Sequence, residues 1–296
     1  MAESRFQDLF ENAYAGFSPH KAARRTGLKA MGDAAGIVKA LGHPEFEFLE
    51  IGETAEGKGL VFFMDVRGFT KLSFVYSNED LLRILQALLQ AAVRSVAQFG
   101  GHTIEFTGDG IMATFGDSKK SPEEACLSGL HCTAFLMAGV RDVINPRLKS
   151  AGTEPVRIAI GMEFGDLLWA RLGLLAASQV KPISEATFLA GKLSTAKYTE
   201  PWEAKVGENV AFWIPDEFKE KARRYEFSVD GRTYKHDLFV FKWKQFGEEF
   251  QSNAEQLKKR FFARKLSPAL VTAAAVVQPD SSARSSPRPL KDQPFF

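Results

Sequence analysis

Along this chain the period of the apolar positions changes several times, and each change marks an element. "GETAEGKG" is a turn-rich loop. From Gly59, "GLVFFMDV" is a near-continuous apolar run of strand length. "SNEDLLRILQALLQAAVRSVAQFGG" places apolar residues at 81, 82, 84, 85, 88, 89, 92, 93 and 96, the spacing of an amphipathic helix. Ser77 or Asn78 caps its start, acids fill its first turn, and Gly100-Gly101 stops it. "HTIEFT" and "IMATFG" are short strands joined at Gly108-Asp109-Gly110, a hairpin signal. "SPEEACLSGLHCTAFLMAGVRDVINPRL" predicts a second helix with Pro122 near its first turn, and "VRIAIGMEF" alternates like a strand. The order strand, helix, strand, strand, helix, strand is that of an α+β, ferredoxin-like βαββαβ fold, an antiparallel sheet with helices on one face.

Residues 1–55 read as a helical N-terminal extension interrupted at Gly27, Gly32 and Gly42, with Lys21, Arg24, Arg25 and Lys29 as a solvated basic run. Residues 56–250 form the main unit; past its core, Tyr198 to Phe246 adds mixed elements, including strand-like "DLFVFKW". Residues 251–296 hold the end of a helix and then an Ala-, Ser- and Pro-rich tail without periodicity, expected to be disordered.

Composition changes this picture little. A chain of 296 residues, 45% apolar and 25% charged, suits an ordinary globular protein. A net charge of +2 gives no strong pull toward nucleic acid or a membrane surface. "MAESRFQDLF" lacks a secretory pattern, no window approaches 18 uninterrupted apolar residues, and Cys126 and Cys132 fit neither a metal site nor a disulfide framework. A cytoplasmic protein with reduced cysteines is the expectation.

The candidate chemistry lies in "FFMDVRGFTKLS". A carboxylate, Asp65, ends an apolar strand, which is costly unless a partner or cation compensates it. In a βαββαβ sheet the end of the first strand lies beside the hairpin joining the second and third, which brings Asp65 to Asp109. Two carboxylates at one place repel unless positive charge sits between them. Divalent cations that prefer oxygen, completed by substrate phosphates, are the natural solution. Gly108 and Gly110 let the chain turn around Asp109, and the Gly68-Phe69-Thr70 turn offers amides to a polyphosphate.

"FMDVRGFTKLS", then "GGHTIEFTGDGIMATFG", then "VRIAIGMEFGDLLWARLG" resemble the class III nucleotidyl cyclase catalytic domain, from about Leu60 to Gly173 with a looser continuation to roughly Lys244. The resemblance implies a head-to-tail homodimer with a site at each subunit interface, and two divalent metal ions, Mn²⁺ or Mg²⁺, held by Asp65, Asp109 and the Val66 carbonyl. It implies attack of the ribose 3′-hydroxyl on the α-phosphate of a nucleoside triphosphate, with release of pyrophosphate.

The chain departs from the family where Val-Asn-x-x-x-Arg is usual. "KPISEATFLAGKLSTAKYTE" puts Phe188 at the ribose-orienting Asn and Lys192 at the transition-state Arg, with Lys197 and Arg171 as alternatives to Lys192. At the base-reading positions stand Glu105 and Lys181, or Val180 if the alignment shifts by one. An acceptor paired with a donor suits uracil, cytosine or guanine and fits adenine poorly. These departures resemble the pyrimidine cyclases of bacterial anti-phage defence known as Pycsar. The expectation is a lyase that makes a 3′,5′-cyclic pyrimidine monophosphate for a separate effector, with UTP ahead of CTP and with no nucleic-acid or membrane partner. A guanylyl cyclase and a catalytically silent nucleotide-binding cyclase fold are the alternatives. The Gly-Gly-acid-acid-Phe hairpin of diguanylate cyclases is absent.

Overall fold

Strand β1 (Thr54–Val66) is paired along both edges, which makes it the axis of the molecule. A computed structural model describes residues 2–15, 41–174, 177–196, 203–229 and 232–263. Helix α1 (Ala2–Ala15) precedes β1; α2 (Phe69–Leu72), α3 (Asn78–Gln98), β2 (Gly101–Phe106), β3 (Ile111–Phe115), α4 (Pro122–Gly139) and α5 (Asn145–Ser150) follow it. Next come β4 (Ile158–Leu174), β5 (Ala177–Ile183), α6 (Glu185–Thr195), β6 (Glu203–Val206) and α7 (Glu208–Trp213). Then β7 (Lys219–Val229), β8 (Arg232–Phe241) and α8 (Trp243–Ala263) complete the described chain. The sheet order is β2-β3-β1-β4-β6-β8-β7, with β5 paired to the far part of β4. Its first four strands are the ferredoxin-like arrangement.

The helix starts follow from local chemistry. The Ser77 hydroxyl accepts the Asp80 amide at the head of α3, and Ser121 with Glu124 forms a capping box at α4. Pro146 has no amide to donate, and the helical ladder between α4 and α5 is rewound as one π-turn, Val140–Ile144. By length and composition Pro122–Ser150 is apolar enough to cross a membrane; here Leu130, Leu136, Met137 and Val140 are buried in the core instead. Cys126 and Cys132 are buried free thiols on the same helix.

The pleat of β1 divides the core. Leu60, Phe62, Met64 and Val66 join the large cluster with residues of α1, α3, α4 and α8. Val61 faces the other way, with Ile104, Met112, Leu167, Trp169 and Val180, beneath Ala186 and Ala190 of α6. Helices therefore cover both faces, not the single face expected from the sequence. The cause is Gly161 of β4: a Cβ there would stand 2.2 Å from the Ala190 carbonyl oxygen and 2.3 Å from the Ser194 nitrogen, so only glycine lets the α6 backbone settle on the sheet.

One further boundary differs: β1 begins at Thr54, inside the segment expected as a loop, because Thr54 to Gly59 pair with Ala170 to Gly165 on an equally extended β4. Helix α8 ends at Ala263, within the residues expected to hold a helix end. The basic run at 21–29 and the expected tail lie outside the described residues.

Candidate active site

Asp65 is the penultimate residue of β1, and its side chain lies on the face opposite the large core. Asp109 sits in the β2–β3 turn. Gly108 takes φ +78° there, a left-handed conformation natural to glycine, and a Cβ on Gly110 would come within 2.0 Å of the Met64 carbonyl oxygen. The turn is thus pressed onto the end of β1. The Asp109 carboxylate accepts its own amide and that of Val66.

The Asp109 carboxylate is thus held at the residue next to Asp65, and the two charges act on each other. Burial, then the charge of Asp109, pushes the Asp65 carboxyl above the ordinary 3.8, with Arg67 opposing. Burial also raises Asp109, against its two amide hydrogen bonds. Two half-buried oxygen donors that repel each other fit a hard divalent cation, whose charge would remove both penalties. Directly after them Gly68, at φ +72°, starts the turn into α2. Among the described residues the amides of Gly68, Phe69 and Thr70 have no backbone acceptor.

Beside this end of the sheet lies a cavity of about 490 Å³. Glu105 and Lys181 form an ion pair across it, although 76 positions separate them. Its other walls include Phe63, Met112, Phe188 and Lys192. Phe188 is 68% exposed, so its ring is offered to whatever enters. Val180, the alternative to Lys181, is 1% exposed within the smaller apolar cluster and has no access to the cavity mouth.

The remaining candidates divide cleanly. Arg171 does not face the cavity: its guanidinium donates to the carbonyls of Glu47 and Leu49, at 2.7 and 2.5 Å, and fastens the segment before β1 to β4. Lys197 lies outside the described residues. Asp65 and Asp109 are not among the described residues that line the cavity. Phe63, one pleat earlier on the same face of β1 and ~7 Å away along the strand, is. Each chain therefore carries a carboxylate end and, next to it, a cavity lined by Glu105, Lys181 and Lys192. Thr187, Gly191 and Thr195 also line the cavity and were not anticipated. With Phe188 and Lys192 they share one helical face, a signal that spacing alone carries once α6 is recognised as a helix.

Residues 55–194 match the Adenylate and Guanylate cyclase catalytic domain. The chain carries a class III nucleotidyl cyclase domain. Its relatives include a cytidylate cyclase of Escherichia coli, 28% identical over 51% of this chain and 34% of that protein. A uridylate cyclase of Rhodovulum sp. (strain MB263) is 27% identical over 47% of this chain and 58% of that one. The cyclase domain thus spans between a third and three-fifths of these relatives' lengths. The crystal structure of the adenylyl cyclase CyaB from P. aeruginosa superposes with a TM-score of 0.56 at 23% identity, over 64% of this chain and 95% of that one, which shows a shared fold.

Proposed function

We propose that this cyclase domain converts a pyrimidine nucleoside triphosphate to its 3′,5′-cyclic monophosphate and pyrophosphate, with two chains completing each other's sites. The observation that carries the reading is the Glu105–Lys181 pair in a cavity beside Asp65 and Asp109. Glu105 accepts the N3–H of uracil or the N4–H of cytosine, and Lys181 donates to O4 of uracil or to N3 or O2 of cytosine. Adenine has no carbonyl and would meet the lysine only at N1, the counterpart of cytosine N3, so the pair by itself does not exclude ATP. The Phe188 ring supplies a flat apolar surface on which the base stacks. The names of the relatives, one a cytidylate and one a uridylate cyclase, support the pyrimidine class, and the hydrogen-bonding pattern serves either base. The pair therefore does not separate UTP, the substrate expected first from the sequence, from CTP.

Asp65, Asp109 and the Val66 carbonyl are the groups that would hold divalent ions, Mn²⁺ or Mg²⁺, which when bound would supply acidification of the ribose 3′-hydroxyl and charge neutralisation of the triphosphate. The remaining work falls to the chain. The Gly68–Thr70 amides bind phosphate oxygens, and Glu105 and Lys181 set the register of the base. Lys192 brings a cation to the α-phosphate as the 3′-oxygen forms its bond to phosphorus, the 3′-proton passes to solvent water, and the bond to pyrophosphate breaks. Lysine supplies charge there without the planar fork of arginine. In this reading the product is a messenger for a separate effector in phage defence.

The test is a competition. ATP, GTP, CTP and UTP are supplied at equal concentration with Mn²⁺, and mass spectrometry identifies the cyclic product. Cyclic CMP or cyclic UMP supports the reading. Cyclic GMP, which a Glu–Lys pair also accommodates through guanine N1–H and O6, overturns the pyrimidine assignment; absence of any product overturns the enzyme.

A further inference from the structure

Helix α6 carries Phe188 and Lys192 and ends at the Thr195 and Ala196 carbonyls. Two cations from elsewhere in the chain converge on those carbonyls. Arg67 donates to the Ala196 oxygen at 2.9 Å and to the Thr195 oxygen at 3.4 Å. Lys205 of β6 donates to the same Ala196 oxygen at 2.6 Å. Glu203 joins the two, 2.8 Å from Lys205 and 3.7 Å from Arg67. The Lys205 side chain is 0% exposed and that of Glu203 4%.

Burying a lysine is expensive unless it is paired and hydrogen-bonded, and here it is both. A simple helix end needs no such arrangement, since water satisfies its carbonyls and screens its dipole. The placement is what matters. Arg67 is two residues past Asp65, and the Ala196 amide donates back to the Lys192 carbonyl at 3.0 Å, one helical turn away. The register continues the connection. Asp65, Ala159 and Glu203 form one row across β1, β4 and β6, and Phe63, Gly161 and Lys205 form the next. The same three side chains thus hold the end of the strand that bears Asp65 and the turn of the helix that bears Lys192.

We infer that Arg67, Glu203 and Lys205 are positioning residues: they fix the height of Lys192 on α6 against the sheet of its own chain, and so where Lys192 stands in the site it completes with the second chain. The inference rests on the cyclase reading, and none of the three touches substrate. Arg67→Ala and Lys205→Met should each lower kcat by about a hundredfold, the scale of a misplacement of an ångström or so, with KM for the nucleotide changed by less than about twofold. Because both act through one helix end, the double variant should be no slower than the worse single. Arg67→Lys, which still reaches one carbonyl, should recover most of the rate. Hydrogen exchange at Leu193–Ala196 should accelerate by more than about tenfold in both variants, while β2 and β3 keep wild-type protection.

Faster exchange with unchanged kcat would reduce the cluster to a structural tie and overturn the inference. So would additive losses in the double variant. A shift in the Mn²⁺ half-activation concentration in Arg67→Ala but not in Lys205→Met would also overturn it, because Arg67 would then act on Asp65 directly. Should Lys205→Met not fold, Arg67→Ala and Arg67→Lys, altered at a part-exposed side chain, carry the kinetic test. If the wild-type chain makes no cyclic nucleotide, the cyclase reading fails by itself. The exchange experiment then decides the tie alone, unchanged protection in both variants refuting it.

Discussion

Asp65 and Asp109 hold their protons more tightly than ordinary aspartates, because each is half-buried and, at Asp65, the other's charge adds to the penalty. A carboxyl whose folded pKa is raised contributes stability that is complete below about 3.8 and is lost as the pH rises through the shifted value. At pH 7 in EDTA, Asp65→Asn should therefore unfold at the wild-type temperature or above. Mn²⁺ should raise the melting temperature of wild type and leave that of Asp65→Asn or Asp109→Asn unmoved. Either substitution should lower turnover by roughly a thousandfold, since a metal's share of charge stabilisation is several kcal/mol. A melting temperature well below wild type in EDTA would instead mark the aspartate as a structural cap. Both aspartates were legible in the sequence, since one ends an apolar run and the other sits between two glycines. Arg171 was legible only as a cation; that its guanidinium is committed to the carbonyls of residues 47 and 49 depends on a segment 122 positions upstream.

At the scale of elements, periodicity located β1, α3, β2, β3, α4 and β4, but their ends and faces answered to neighbours. Thr54–Gly59 is a strand because β4 extends to meet it, and α6 lies on the second face because Gly161 leaves room for it. The junction of β4, β6 and α7 shows the same dependence. Glu163 is 3% exposed and accepts the Phe164 amide at 2.8 Å, and a Cβ on Gly207 would stand 1.4 Å from its other oxygen. Burial pushes its carboxyl from the ordinary 4.5 up to about 8, against the amides of Phe164 and Asn209. The raised value means that folding is favoured while Glu163 is protonated, and that this advantage falls away between about pH 4.5 and about pH 8. Thermal melts across that window should show a decline in wild type that is flattened in Glu163→Gln. Parallel pH profiles in the two proteins would refute the assignment.

At the scale of the whole molecule, each chain presents the Asp65–Asp109 end of the sheet and the Glu105–Lys181 cavity side by side. Apolar side chains stand exposed next to both: Phe74 and Val75, 86% and 76% exposed, follow the Gly68–Thr70 turn, while Leu172 lines the cavity at 45% and Leu174, two residues on along β4, is 78% exposed. Exposed apolar residues in two patches suit a second copy that exchanges them reciprocally. If sites are shared in that way, a heterodimer of Asp65→Asn and Lys192→Met holds one intact site. An equal mixture of the two inactive variants, after subunit exchange, should then recover about a quarter of wild-type activity, the share expected when half the dimers are mixed and each has one working site of two. No recovery above the separate variants would show that each chain works alone.

The sequence by itself determined the order of the core elements, the position of both carboxylates and the glycines that shape the turns around them. These are local properties: a strand's apolar run, a helix's spacing and a turn's need for a left-handed residue are all written within a dozen positions. Only the tertiary structure decided which face α6 covers, that Lys181 and not Val180 meets Glu105, and that Arg67, Glu203 and Lys205 gather at one helix end. Each of those depends on pleat parity and on strands brought together from distant parts of the chain. Parity flips with a single residue, and pairing depends on neighbours that no local pattern names.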